Sequence, residues 1–311
     1  MKKRVIFIVG PTASGKTAAA IHLAKKLDGE VVSADSMAIY KGMDIGTAKP
    51  TREEMQGISH HMISCVDPRI PYSASEYKDD AERCIFDILN RGKVPIVCGG
   101  TGLYVNALIY PLDFTSAPSD EKIRAELTEF AEKYGNEALH RELEKVDPKS
   151  ASELHPNNVR RVIRALEIYR LTGKTKSEQA TMDKPFELPY TPVLMGITQE
   201  RVKLYEKCDL RVKKMMEEGL LQEVRNLLAN GLTPEMQSMQ GIGYKELVKH
   251  INGELSLPEA VELMQKLTRH LAKRQLTWFR ANPDILWFDC TKAENLPEIY
   301  DKMLTYSLGK N

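Results

Sequence analysis

Eight consecutive residues, Gly10-Pro11-Thr12-Ala13-Ser14-Gly15-Lys16-Thr17, have the types and spacing that hold phosphate. They match GxxxxGK[ST], in which backbone N–H groups cradle phosphate oxygens. The lysine adds a point charge and the Thr17 hydroxyl is placed to bind Mg²⁺. The motif specifies a phosphate compound, not which one. A carboxylate follows: the apolar run Val31-Val32-Ser33-Ala34 leads to Asp35 and Ser36. In an open parallel sheet the carboxyl ends of strands line the ligand crevice, so Asp35 is expected beside the phosphate loop. There it can act in catalysis, cap a helix or contact the ion. Motor ATPases and GTPases place an Asp directly after an apolar strand to hold Mg²⁺. Here residues 94–98 end in Gly99-Gly100-Thr101 instead, and only the remote Asp289 follows a later apolar run. The sequence thus carries half of an NTPase signature.

These residues need a frame. Residues 5–9 read as a buried strand entering the glycine loop, and residues 16–27 as the helix leaving it. Residues 30–33 give a second strand. Residues 34–61 read as a loop region with turns at Gly42, Gly46 and Pro50. Ser73 opens a helix to about residue 90, and the strand at 94–98 is followed by a helix over 102–109. A strand over 193–198 resumes the pattern after an interruption, and a last strand over 285–288 precedes a final helix. Strands alternating with helices imply an α/β fold, a P-loop NTPase-like parallel sheet core with helices on both faces. The interruption is polar and helical. The expected organisation is therefore a core of residues 1–112 and 191–311, helical in its C-terminal part, with a helical insertion domain at 113–190.

Composition narrows the class. The 311 residues are 42% apolar and 28% charged, as in soluble globular proteins. The five cysteines, Cys65, Cys84, Cys98, Cys208 and Cys290, are far apart with no CxxC pair. A disulfide framework and a zinc ribbon are disfavoured, and a reducing, cytoplasmic setting fits. The apolar run after Met1 is too short for a signal peptide, and no stretch reaches membrane-spanning length. The net charge of +1 gives no global hint of nucleic acid. Local charge does: Arg160, Arg161 and Arg164 crowd one probable helix. Residues 266–280 carry Lys266, Arg269, Lys273, Arg274 and Arg280 without an acid. Such faces are either ordinary solvated helix surfaces or tracks for phosphates. Trp278 and Phe279 either stack on bases or, by default, fill the core. His60-His61 lack the partners of a metal site and read as a polar loop pair.

Six segments carry a family resemblance: GPTASGKT, SADSMAIYKGMDIGTAKP, VCGGTGLYVNAL, HPNNVRRVIRALEIYRLTGK, QGIGYKEL and KRQLTWFR. In this order, across residues 10–280, they resemble the bacterial tRNA dimethylallyltransferases. A P-loop kinase of nucleotides or small molecules, the alternative reading, shares only the first of them. The resemblance implies dimethylallyl diphosphate as donor and, as acceptor, the adenosine 3′ of the anticodon in tRNA. The exocyclic N6 amine is alkylated, diphosphate leaves, and the insertion clasps the anticodon stem-loop. A monomer suffices for this.

The resemblance also assigns residues. It implies Asp35 and Thr101 as catalytic, and Gly10, Pro11, Thr12, Ala13, Ser14, Gly15, Lys16 and Thr17 as the donor loop, with Mg²⁺ on Thr17. Thr12 and Thr101 match positions near the diphosphate, although threonine in a turn also caps loops. Implied contacts to tRNA fall on Asp35, Ser36, Met37, Ala38 and Thr101, and on Arg124 in the insertion. Further contacts fall on Val159, Arg160, Arg161, Val162 and Ile163. A third group comprises Gln240, Lys245, Lys273, Arg274, Gln275 and Arg280. Many relatives carry Arg at the position of Gln240. The exocyclic amine is a weak nucleophile because its lone pair is delocalised, so a proton acceptor such as Asp35 is needed as the C–N bond forms.

Overall fold

A computed structural model describes residues 2–111, 120–180 and 187–309. Among these residues, six strands make one sheet: β1 (Arg4–Val9), β2 (Gly29–Ser33), β3 (His60–His61), β4 (Val94–Gly99), β5 (Thr191–Thr198) and β6 (Leu286–Asp289). Their order is β3-β2-β4-β1-β5-β6 and every pairing is parallel. The central strands are apolar on both faces because both faces are covered. Val5, Phe7, Val9, Val32 and Val97 belong to one core cluster, whereas Ile6, Ile8, Val31, Ile96 and Cys98 belong to another. The helix Lys16–Leu27 packs its Ala19, Ala20 and Leu23 into the second cluster, and the helix Ala74–Asn90 packs Tyr77, Ala81 and Ile85 into the first. Ser73 opens the latter as a capping box: its hydroxyl accepts from the Glu76 N–H at 3.2 Å, and the Glu76 carboxylate accepts from the Ser73 N–H at 2.7 Å.

Register sets the site. Val9 pairs with Gly99 and Ser33 with Cys98, so the chain leaves β1, β2 and β4 at one level. Gly10, Asp35 and Gly100 all lie just past that edge. The sequence reading is corrected at His60-His61, which form an edge strand rather than a loop. His61 Nε2 donates to Glu30 Oε2 at 2.7 Å. Two residues beside a polar loop carry too little periodicity to betray a strand.

The chain divides into two compact units, Met1–Tyr110 with Leu188–Asn311, and Pro111–Glu187. The second is helical, with helices Glu121–Tyr134, Asn136–Val146, Pro148–Glu153, Val159–Thr172 and Lys176–Ala180. Its core is built from Leu127, Leu139, Leu143, Val162 and Leu166. One carboxylate organises its charge: Glu167, with 0% exposure, accepts from Arg124 Nε at 2.8 Å, Arg164 Nη1 at 2.7 Å and the Asp120 N–H at 2.8 Å. Burial opposes its ionisation, but Arg164, the Asp120 amide and Arg124 outweigh burial and hold its carboxyl below the usual range.

Candidate active site

Close backbone approach makes the floor of the site. Gly10 has φ +147°, and a Cβ there would sit 2.5 Å from the Ile197 carbonyl oxygen. A Cβ on Gly99 would lie 2.1 Å from the Ala34 oxygen, the same oxygen that accepts from the Thr101 N–H at 3.0 Å. Only glycine allows the β4 loop to lie this tightly on the β2 loop. Thr101 does not cap its helix with its hydroxyl. Its Oγ1 accepts from the Ser36 N–H at 3.0 Å and lies 3.3 Å from Ser36 Oγ, joining the two loops again. Asp35 is held by its own turn: Oδ1 accepts from the Met37 N–H at 2.8 Å and the Ala38 N–H at 3.3 Å. Both bonds fall on one oxygen, so Oδ2 is the oxygen left to act as acceptor.

The phosphate loop is open to an anion. Gly15, at φ 94°, starts the helix Lys16–Leu27, which has no side-chain cap and no acid in its first turn. Its first N–H groups and the positive end of its dipole therefore face the site unneutralised. Ala13 takes φ 62°, a left-handed conformation that costs about 1–2 kcal/mol for a residue with a Cβ. Ser14, 1% exposed, has a hydroxyl without a protein partner, while its carbonyl accepts from Gln199 Nε2 at 3.0 Å. Lys16 Nζ donates to the Pro11 carbonyl at 2.6 Å. Burial, together with Arg211, draws the Lys16 ammonium down to about 8, against an upward pull from Cys98 and Asp35.

Two side chains from distant helices complete the loop. Gln275, on the helix Leu257–Arg280, accepts from the Thr12 N–H at 2.7 Å and donates to the Gly100 carbonyl at 2.9 Å. It ties the phosphate loop to the β4 loop, a role distinct from the RNA contact implied for it. Arg211, on the helix Arg201–Glu217, donates from Nη1 to Thr12 Oγ1 at 2.8 Å. The sequence reading missed it. The signal was available: Lys207, Arg211 and Lys214 recur at helical spacing and share one face.

These groups line adjoining cavities. A cleft of ≈ 750 Å³ runs between the phosphate loop, residues 44–56 and the helix bearing Arg211. A recess of ≈ 110 Å³ shares Lys16, Thr17, Lys49 and Arg211 with it and adds Thr12 and Asp35. Among the described residues no cluster of three His, Cys, Asp or Glu side chains is placed to hold a metal. Thr17 nevertheless gives the recess a hard hydroxyl oxygen beside the phosphate loop. That donor fits Mg²⁺, which takes one or two protein oxygens and completes its shell with phosphate and water. Asp289 is not part of this site. It ends the edge strand β6, where its Oδ1 accepts from the Thr291 N–H at 2.9 Å.

The residues implied in RNA contact fall into distinct groups. Ser36 and Met37 are half-buried and Ala38 is buried around Asp35. Arg160 and Arg161 are exposed, but Val162 and Ile163 are 0% and 8% exposed and belong to the insertion core, with Val159 packed against them. This corrects the sequence reading, because the helical period turns 162 and 163 inward. Arg124 is engaged with Glu167. Lys245, Lys273, Arg274 and Arg280 are exposed, and Arg280 lies 6.0 Å over the Trp287 ring. Gln240 is exposed and donates to the Pro234 carbonyl at 2.6 Å. Arg269 pairs with Asp209 rather than facing outward with Lys273. Phe279 is core, whereas Trp278 is 39% exposed and lies against Gly102.

Residues 38–282 match the IPP transferase family. The tRNA dimethylallyltransferase of Halalkalibacterium halodurans is 48% identical over 294 residues, 94% of this chain and 93% of that protein. That of Bacillus cytotoxicus is 49% identical over 309 residues, 99% of this chain and 96% of its own length. The crystal structure of a full-length tRNA isopentenylpyrophosphate transferase from Bacillus halodurans superposes with a TM-score of 0.74 at 44% identity, covering 100% of this chain and 98% of that one. A eukaryotic dimethylallyltransferase, described as acting on tRNA, superposes with a TM-score of 0.82 at 33% identity over 97% of this chain and 78% of its own. The family match over residues 38–282, with relatives 48% and 49% identical along nearly the whole chain, makes this chain a member of the IPP transferase family.

Proposed function

We propose that the protein transfers a dimethylallyl group from dimethylallyl diphosphate to the N6 amine of the adenosine 3′ of the anticodon in tRNA. The observation that carries this reading is the shared recess: Asp35 and the diphosphate-binding groups Lys16, Thr17 and Arg211 line one cavity. In the reaction the bond from the allylic carbon to diphosphate oxygen breaks, the bond from that carbon to N6 forms, and a proton leaves N6. Asp35 takes the proton on Oδ2, while the Met37 and Ala38 amides hold Oδ1 in place. Negative charge grows on the departing diphosphate. Lys16, Arg211 and the N–H groups of the loop meet it there, already oriented, which is electrostatic catalysis at the leaving group. Lys16 must exchange its bond to the Pro11 carbonyl for a phosphate oxygen. Mg²⁺ held by Thr17 supplies further positive charge to the diphosphate when bound.

The base must leave its stack to reach the recess, and a single-stranded loop gives it up at low cost. Arg160 and Arg161 of the insertion, with Lys245, Lys273 and Arg274, are the exposed cations assigned to tRNA phosphates. A monomer holds all of these groups. The five cysteines are unpaired, which suits a reducing cytoplasm, and no helix among the described residues is long and apolar enough to cross a membrane. The test is incubation with labelled dimethylallyl diphosphate and unmodified tRNA in the absence of ATP. Label in the adenosine next to the anticodon supports the reading. Unlabelled tRNA, with ATP-dependent phosphorylation of a small molecule, would favour a kinase instead.

A further inference from the structure

The wall of the large cleft is a loop, residues 44–50, that presents Ile45, Ala48, Lys49 and Pro50 to the ligand space. Internally the loop is tied by Lys49, 5% exposed at its side chain, which donates to Asp44 Oδ1 at 2.7 Å, to Ser64 Oγ at 2.8 Å and to the Tyr40 carbonyl. Those bonds fold the loop on itself and on the neighbouring turn. They do not tie it to the helices that follow β5.

Glu223 does. Its Oε2 accepts from the N–H groups of Asp44 at 2.9 Å and Ile45 at 2.8 Å, and its Oε1 accepts from the Gly46 N–H at 3.1 Å. Three consecutive amides converging on one carboxylate form a backbone anion nest. The Tyr244 hydroxyl adds a fourth bond, to Oε1 at 2.8 Å. The loop lies so close that a Cβ on Gly46 would come within 2.6 Å of the Tyr244 ring. The same segment backs the turn after Asp35: a Cβ on Gly241 would meet Met37 Cε at 2.6 Å. Glu223 lies on the helix Leu220–Ala229 and Tyr244 opens the helix Tyr244–Ile251.

We propose that Glu223 is a positioning residue for the allylic diphosphate: by gathering the amides of Asp44, Ile45 and Gly46 it fixes the cleft wall against which the donor is held. This rests on the prenyltransferase reading above. Removing the carboxylate leaves three amides without their acceptor, so the wall loosens while the phosphate loop and Asp35 keep their own bonds.

The test pairs amide hydrogen exchange with steady-state kinetics on the full-length Glu223→Gln protein. A neutral amide turns a donor toward the nest. The expected result is exchange faster by about tenfold or more at residues 44–46, with β1 amides unchanged, and a donor KM raised about tenfold with the tRNA KM within about twofold. Tyr244→Phe, which keeps all three amide bonds, shifts the Gly46 amide and the donor KM in the same direction by less. Unchanged exchange at 44–46 overturns the proposal. So does an unchanged donor KM in an active variant, or equal loss for both substrates. If the unsubstituted protein transfers no prenyl group, the function reading fails instead, and the exchange result alone decides whether Glu223 holds the wall.

Discussion

Arg211 and Thr12, 199 residues apart in sequence, meet through a hydrogen bond of 2.8 Å from guanidinium Nη1 to hydroxyl Oγ1. The contact brings a cation from the Arg201–Glu217 helix to the phosphate loop, where it lines one cleft with the residues that start the Lys16–Leu27 helix. Burial lowers the proton affinity of Arg211, and Asp35 and Cys208 act in the opposite sense. A guanidinium kept partly desolvated interacts strongly with a diphosphate whose charge is growing. Arg211→Met keeps the bulk and removes the charge. Its kcat/KM for the donor should fall by about 10²–10³-fold, the range found when a preorganised stabilising group is lost. The tRNA KM should stay near its starting value. Steady-state kinetics with each substrate varied in turn checks this.

Lys16 gives a pH prediction with a defined sign. Its ammonium is depressed to about 8 in the free protein, chiefly by burial. Bound diphosphate stabilises the charged form, so the value rises on binding. Donor affinity is then flat below the free-protein pKa. It falls as pH rises through about 8, by at most about tenfold per pH unit, until the bound-state value is reached. In that window binding takes up a proton. Calorimetry in buffers of different ionisation enthalpy measures the uptake directly, and Lys16→Met should abolish it.

Glu30 predicts stability rather than activity. Its side chain, 5% exposed, accepts from Arg91 Nη1 at 2.5 Å and Nη2 at 2.7 Å, and Lys93 lies 3.2 Å away. Arg91, ahead of His61 and Lys93 and against burial, holds the Glu30 carboxyl well below the carboxylate range. Glu30→Ala removes the carboxylate that Arg91, His61 and Lys93 share, while the exposed Arg91 keeps Asp87, and should cost about 1 kcal/mol by chemical denaturation. Because the folded value is depressed, this stabilisation is full above the unfolded pKa. It is lost as pH falls toward the folded value, so the gap between wild type and variant should narrow in acid.

The insertion separates binding from folding. Arg160→Ala and Arg161→Ala remove exposed cations and should raise the tRNA KM. Each should also lower the dependence of log K on log salt by about one, as for one phosphate contact each. Arg164→Ala instead strips a guanidinium from the fully buried Glu167 and should lower the melting temperature of the insertion. Filter binding across a salt series, beside thermal melts, distinguishes the two.

Much of the site was legible because its signals are local. The phosphate loop is contiguous, and the strand-end rule located Asp35 once the apolar run before it was recognised. The parallel core was equally readable, since β1, β4 and β5 are apolar on both faces. Residues that reach the site from afar were less visible. Arg211 sits in a helix outside every motif the sequence singled out, and Glu223 reveals itself only when three amides are seen to converge on it. Gln275 lay inside a basic run that suggested RNA, yet its amide group bridges two loops. Val162 and Ile163 were swept up with the arginines beside them, although helical periodicity turns them inward. Side-chain direction on a helix decides such cases, and a motif quoted as a string suppresses it.

Asp35 is assigned to accept the proton from N6 while the adjoining loop holds the diphosphate. Asp35→Asn is the direct probe, because an amide oxygen can still accept from the Met37 and Ala38 N–H groups and preserve the turn. In single-turnover reactions with enzyme in excess over labelled donor and unmodified tRNA, the variant should transfer label about 10²–10⁴-fold more slowly, with donor and tRNA affinities unchanged. Transfer at the wild-type rate by a folded Asp35→Asn protein would contradict the account.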